Sequence, residues 1–259
     1  MGETTFKQIG GKNFANDKVV ISDGRIKHHY KYDSLRRNDS QMGNSSKSAR
    51  AIRDSLGTLV NHCKDGKLVG RLNAEMMKVL QRDESVGAAM RGMIARAENM
   101  GLLQGFDFNS KTSLRSTFNI AFTTDVNRET GEVKITIASF KPASAVKAPK
   151  LATSFKIMAE VADINFDPGV EFNSKLNRTK AYFSEPMLLD NTPTQPLTIS
   201  FAVKTGNANT IFIALGVDFH DSSNPLYHDI NASRRVSAGC IIRVDEGVAV
   251  PYTGVVVGV

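Results

Sequence analysis

Histidine and acidic side chains are the groups in this sequence best suited to metal binding or acid–base chemistry. They form two sets: His28, His29 and Asp33, followed much later by His220, Asp221, His228 and Asp229. Imidazole and carboxylate groups are ordinary ligands of divalent metals. Neighbouring residues of a strand point to opposite faces, so His28 and His29 cannot easily reach one ion. The second set matches no known ligand spacing. We therefore predict no metal site and no cofactor.

Nucleophilic catalysis needs a serine or cysteine beside a base, and the sequence contains no such pattern. Ser237 is not set in the G-x-S-x-G turn of the α/β-hydrolases. Cys63 and Cys240 have no CxxC neighbour, which argues against a disulfide framework and a cysteine zinc site. Asp163 and Asp167 would act as paired carboxylates only across a cleft that the sequence does not reveal. We therefore predict no catalytic residues and a protein that is not an enzyme.

The stretch 45–103 has the three- and four-residue apolar spacing of amphipathic helices. Its first face carries Ala49, Ile52, Leu56, Leu59, Val60 and Cys63. Its second carries Leu68, Leu72, Met76, Val79 and Leu80. We expect one helix that begins near 45 and ends at Asp65 and Gly66, a second that begins near 67, and a third over about 84–100. Cys63 is then a small core residue rather than a nucleophile.

Positive charge is concentrated in the N-terminal part of the chain. Residues 1–98 hold 18 Lys and Arg against 11 Asp and Glu, whereas residues 99–259 hold 15 of each kind. Such asymmetry indicates either a solvated basic face or an acidic partner such as nucleic acid. The candidate phosphate contacts on the predicted helices are Lys47, Arg50, Arg53, Lys67, Arg71, Lys78 and Arg82.

The regions before and after the helices have strand patterning. Short strands are predicted at 5–9, 18–22 and 25–32, followed by a polar linker over 33–46. After residue 105, alternating apolar residues predict strands at 114–126, 133–137, 155–161, 181–189, 197–203, 211–219, 240–244 and 248–259. Seven or more such strands are typical of an antiparallel β-sandwich, either immunoglobulin-like or jelly-roll. The predicted class is α+β, with regions 1–44, 45–104 and 105–259.

Several short motifs resemble a family of uncharacterised bacterial proteins. They include Gly105-Phe-Asp-Phe-Asn109, Arg128-Glu-Thr-Gly131, Phe140-Lys-Pro142 and Gly216-Val-Asp-Phe219. The resemblance implies one continuous architecture of a basic helical segment followed by a β-rich part. It implies no catalytic residues, because none are assigned in that family.

Self-association is the function that the sequence favours. Residues 255–259, here called the valine segment, contain Val255, Val256, Val257 and Val259 with no charge and no proline. Such a strand can add to the open sheet edge of a second copy and build an oligomer or filament. Nucleic-acid binding through the basic helical face is the alternative.

No apolar run is long enough to span a membrane. The first residues contain no signal region, so the cytoplasm is the default location, with export by a route without a cleaved signal left open.

Overall fold

The computed structural model describes residues 4–9, 12–17, 33–82, 97–166, 180–204, 209–220 and 237–246. They belong to two compact units, Met1–Gly43 and Asn44–Val259. In the first unit, β1 (Thr4–Ile9) pairs antiparallel with β2 (Lys12–Asp17), from Thr4 opposite Asp17 to Ile9 opposite Lys12. The strand predicted at 5–9 is therefore present, whereas β2 was not predicted. The strands predicted at 18–22 and 25–32, with His28 and His29, lie outside the described residues.

The helical part begins earlier than the apolar spacing indicates. Helix α1 (Asp33–Ser55) is followed by α2 (Gly57–Cys63) and α3 (Leu68–Gln81). The prediction of a linker over 33–46 was wrong, because this segment is helical. Residues 38–44 are exposed or half-buried, so they lack the apolar face by which the helix would be recognised. Most of the third predicted helix lies outside the described residues, and Ala97–Leu103 forms a 3₁₀ helix.

The central sheet is antiparallel and is built on two long strands. Strand β5 (Ser154–Ile164) pairs with β9 (Thr210–His220) along its whole length, and β9 pairs with β10 (Ala238–Asp245). The other edge of β5 carries two short strands, β6 (Tyr182–Phe183) and β7 (Met187–Leu188). Both faces of β5 and β9 are buried almost throughout, which places this sheet between two other layers.

A second antiparallel sheet has the order β3-β4-β8. Strand β3 (Phe122–Asn127) turns into β4 (Glu132–Ile137) through Gly131, whose φ of 70° suits a residue without Cβ. Strand β8 (Leu197–Ala202) pairs with the other side of β4. The strand predicted at 114–126 was wrong in its first half. Helical turn α4 (Leu114–Thr117) occupies that part, started by the Ser113 hydroxyl, which accepts from the Ser116 amide. A second helical turn, α5 (Pro142–Ala145), follows β4.

Two hydrophobic cores lie on opposite faces of the central sheet. The first joins the helices to the face that carries Met158, Ala162 and Phe212. The second joins the β3-β4-β8 sheet to the face that carries Ile157, Val161 and other residues of β5 and β9. The α+β class with antiparallel sheets is therefore confirmed. The sheets are not closed on each other, and the immunoglobulin-like or jelly-roll topology stays a prediction.

Charged side chains tie the two sheets together at one end. Arg128, in the turn between β3 and β4, lies 2.6 Å from the carboxylate of Asp245 in β10 and donates to the Asn209 carbonyl. Arg243 of β10 donates to the Thr124 carbonyl of β3 and to Asp245. These ion pairs are half-buried, so their charges are less screened than those of exposed pairs. No helix in the described part of the chain is long and apolar enough to cross a membrane.

Candidate functional site

A buried carboxylate, Asp218 near the end of β9, gathers polar side chains from three segments. The Ser237 hydroxyl donates to Oδ1 of Asp218 over 2.8 Å. His62 Nδ1, from α2, lies 3.5 Å from Oδ2, and His220 Nε2 lies 3.4 Å from the same oxygen. The His62 ring also makes an edge contact with Phe183, with 5.4 Å between ring centroids. The cluster therefore joins the helical layer to the central sheet through polar groups.

Asp218 is held in its ionised form by these neighbours. Burial alone would raise the pKa of this carboxyl, but hydrogen bonds from His62 and Ser237 and the nearby His220 lower it below 3.8. Cys63 lies close by, and burial together with the Asp218 charge raises the pKa of its thiol well above 9.0. Cys63 is therefore protonated at neutral pH and fills space in the core, as its position on the apolar helix face predicts.

The order of contacts in this cluster differs from that of a catalytic triad. In a triad, histidine lies between the nucleophile and the carboxylate. Here the carboxylate of Asp218 is central, and the Ser237 hydroxyl donates to it. Among the described residues, no group of three His, Cys, Asp or Glu side chains has the geometry to hold a metal ion. The arrangement is therefore suited to fixing side chains and joining α2 to β9.

Sequence spacing identified only part of this cluster. His220 belonged to a predicted set whose other members, Asp221, His228 and Asp229, lie outside the described residues. His62 was not connected with it, because it lies more than a hundred residues earlier in the chain, and Ser237 was considered only as a candidate nucleophile. No short-range signal in the sequence links them.

The second cysteine is equally unreactive. Burial, together with the neighbouring Asp107 carboxyl, raises the pKa of Cys240 to about 12. Burial also raises the pKa of Asp107 itself, against the hydrogen bond that it accepts from the Leu114 amide. Cys240 is therefore a protonated core residue at neutral pH, without the thiolate that nucleophilic chemistry needs.

Three of the seven candidate phosphate contacts already interact with groups of this protein. Arg50 lies 3.2 Å from Asp54, and Lys78 lies 2.7 Å from Glu75. Arg71 donates to the carbonyls of residues 107 and 108 over 2.8 and 3.0 Å and stacks on Phe106. Lys47, Lys67 and Arg82 are exposed. Arg53 lines a cleft.

That cleft is a concave feature of the described helical surface. It has a volume of about 830 Å³ and lies between the end of α1, the length of α2 and the beginning of α3. Arg53, His62 and Lys64 line it, together with small and polar residues of α2. Its size falls in the range of small-molecule binding sites.

The valine segment lies outside the described residues, but the structure does show a sheet edge to which a strand can add. The Val203 amide donates to the Gly131 carbonyl over 2.8 Å, in register with the β4–β8 pairs. Backbone N–H and C=O groups alternate sides along an antiparallel strand. Thr198, Ser200 and Ala202 therefore point these groups away from β4. Among the described strands, β8 pairs with β4 alone.

The opposite edge of the same sheet is blocked. By the same alternation, Thr124 of β3 points its carbonyl away from β4. The Arg243 guanidinium donates to that carbonyl over 2.7 Å, and the exposed Asp125 adds a charge beside it. Charged side chains at an edge oppose the addition of a further strand. The two edges of this sheet thus differ, and among the described residues β8 is the open one.

Comparison with known proteins provides no family for this chain. Neither a protein-family model nor a curated protein matches its sequence. The resemblance to uncharacterised bacterial proteins stays a prediction.

Replacing Asp218 with asparagine is expected to destabilise the protein by about 2 kcal/mol near neutral pH, because the hydrogen bonds from Ser237 and His62 would lose their charged acceptor. The folded pKa of Asp218 is lowered, so its contribution is present above 3.8 and is lost as the pH falls through the folded value. The difference between the wild-type protein and Asp218→Asn should therefore shrink below about pH 4. Urea unfolding at a series of pH values measures this, with the exposed Asp125→Asn as control. A difference independent of pH would contradict the role of the Asp218 charge.

Proposed function

We propose that this chain is a non-enzymatic structural protein that self-associates by strand addition. In this proposal the valine segment of one copy adds to the β8 edge of another. The observation that carries it is the asymmetry of the β3-β4-β8 sheet, in which β3 is blocked by Arg243 and β8 is open among the described strands.

The backbone of β8 supplies the affinity for such a strand. Thr198, Ser200 and Ala202 direct their N–H and C=O groups to the open edge, and such groups need hydrogen-bond partners. All six residues of β8 pair with β4 in one unbroken register. The strand therefore has no bulge to turn its edge away from a partner.

The side chains of the two partners are compatible. Strand β8 contains no charged residue and no proline, although Pro196 precedes it and Lys204 follows. The valine segment is also uncharged and β-branched, which suits a strand. No like charges would therefore meet when the two strands pair. Because donor and acceptor differ, the association is head-to-tail and produces a ring or a filament.

Nucleic-acid binding is supported less well. Arg50, Arg71 and Lys78 already interact with groups of this protein, so fewer of the candidate cations are available to phosphates. Binding through neutralised phosphates needs a set of free cations along the nucleic-acid backbone.

The mass in solution, measured by light scattering, tests the proposed assembly. The N–H of Ser200 faces the open edge of β8. Ser200→Pro therefore removes a donor from that edge without removing a hydrogen bond to β4. We expect the full chain to form particles larger than a monomer, and Ser200→Pro to reduce the association constant by about tenfold or more. Ser200→Ala, which keeps the N–H, is the matched control and should assemble as the wild-type chain does.

A chain that ends at Pro251 lacks the valine segment and tests whether that segment is the strand that adds to β8. If this chain remains folded and monomeric while the full chain assembles, the valine segment is the donor. If it assembles normally and Ser200→Pro does not, two β8 strands pair with each other and the donor assignment is wrong. If all chains are monomeric at high concentration, the proposed function is wrong.

A further inference from the structure

Arg53 is an arginine for which the described structure provides no internal partner. Its Nε–H is buried and makes no hydrogen bond, and its guanidinium has no ion pair in the described part of the chain. Buried polar groups are normally satisfied, so such a group calls for a ligand. The side chain lines the cleft of about 830 Å³ at the end of α1.

The unpaired charge of this cleft is positive. Two acidic residues, Asp54 and Asp65, also line it, but each is already engaged. Asp54 is paired with Arg50 over 3.2 Å. Asp65 accepts from the Ser110 hydroxyl and amide over 2.6 and 2.8 Å, and it lies 3.5 Å from Arg71. No contact in the described part of the chain gives Arg53 a counter-charge, which leaves this cationic group for a partner.

Further polar groups lie near Arg53 along the cleft. Lys64 is exposed, and its ammonium donates to the Asn61 side chain over 2.7 Å while it still carries a positive charge. Positions 53, 57, 61 and 64 follow the three- and four-residue spacing of one helical face. Apolar contact is available from Val69, of which 47% is exposed. The cleft thus combines a few fixed polar groups with apolar surface, as ligand sites do.

We propose that this cleft binds a small molecule bearing a phosphate or carboxylate group, with Arg53 as the anchor for the oxyanion. The planar guanidinium presents parallel N–H donors that match two oxygens of either group. A small ligand fits better than nucleic acid, because the cleft has the volume of a small-molecule site and three of the other candidate cations, Arg50, Arg71 and Lys78, already interact with groups of this protein. This site is separate from the β8 edge, so its existence does not depend on self-association.

Titration calorimetry at low salt tests the site with three probes: inorganic phosphate, citrate and a single-stranded oligonucleotide. We expect phosphate or citrate to bind with a dissociation constant on the order of 1 mM. Arg53→Gln keeps the size of the side chain but removes its charge, and it should weaken binding about tenfold. Arg82→Gln removes an exposed cation that lies off the cleft and should leave binding unchanged.

A second variant tests the cleft without changing its charge. A Cβ added at Gly66 meets no atom within 4 Å, so Gly66→Leu should fold while its side chain occupies part of the cleft. It should weaken binding of citrate more than that of phosphate, because citrate is larger. Absence of binding by both small anions would overturn the proposal, as would binding that Arg53→Gln leaves intact. Oligonucleotide binding that Arg53→Gln and Arg82→Gln weaken equally, without binding of the small anions, would indicate an extended nucleic-acid surface instead.

Discussion

Replacing Gly239 with alanine is expected to destabilise the protein by about 3 kcal/mol, because it forces helix α2 away from the central sheet. A Cβ at Gly239 would lie 2.7 Å from the Cys63 sulfur and 3.0 Å from a Leu59 methyl carbon. Both neighbours are almost fully buried, so neither has free space into which to move. Gly216, on the adjacent strand, also faces the Cys63 sulfur. The two glycines together allow α2 to pack closely on the central sheet.

Urea unfolding measures this effect, and two further variants identify its cause. Gly66→Ala adds the same methyl group where no atom lies within 4 Å, and its effect should stay within about 0.5 kcal/mol. Cys63→Ala removes the closest atom, so the double variant Cys63→Ala/Gly239→Ala should lose less stability than the sum of the single variants. Equal effects at Gly239 and Gly66 would show that the close packing of α2 is not what limits stability.

Strand positions were predictable wherever one strand face meets a core and the other meets solvent. Strand β4 is such a case, and the predicted residues 133, 135 and 137 are its buried ones. The position of strand β5 was predicted correctly, but the predicted alternation of buried and exposed side chains along it was wrong. The sequence predicts Met158 and Glu160 on the polar face, whereas both are buried. The reason is tertiary: the helices cover that face, and a period-two pattern cannot show a second layer.

Helical segments were predictable only where they bury an apolar face. The apolar residues of α2 and α3 form the first core as their spacing predicts. Residues 38–44 of α1 have no such face, and α4 is a single turn stabilised by the Ser113 cap, so neither produces a period to detect. The cluster around Asp218 could not be predicted from the sequence for a different reason. It is assembled by the packing of α2 on β9 and not by spacing along the chain.

Replacing the buried Glu160 with alanine should destabilise the protein about as much as replacing Gly239 with alanine. Glu160 is completely buried in β5, and its Oε2 accepts from the Leu59 amide over 2.8 Å. Leu59 is the third residue of α2, and the residue before this helix, Leu56, provides no side-chain cap. The first amides of a helix have no partner within it, so Glu160 supplies from the sheet a cap that the helix lacks. We expect Glu160→Ala to cost about 3 kcal/mol, through a lost acceptor and a cavity.

Two substitutions at Glu160 separate the cap from the packing. Glu160→Gln keeps a carbonyl oxygen that can accept from Leu59, so it should cost only about 1 kcal/mol. Glu160→Leu fills most of the volume but leaves the Leu59 amide without an acceptor, so it should cost about 2 kcal/mol. Urea unfolding gives these differences, and amide hydrogen exchange at Leu59 reports the cap directly, since its protection should fall in the Leu and Ala variants and persist in the Gln variant. A Leu variant as stable as the wild-type protein, with Leu59 still protected from exchange, would contradict the cap, because the Leu59 amide would then need no acceptor from Glu160.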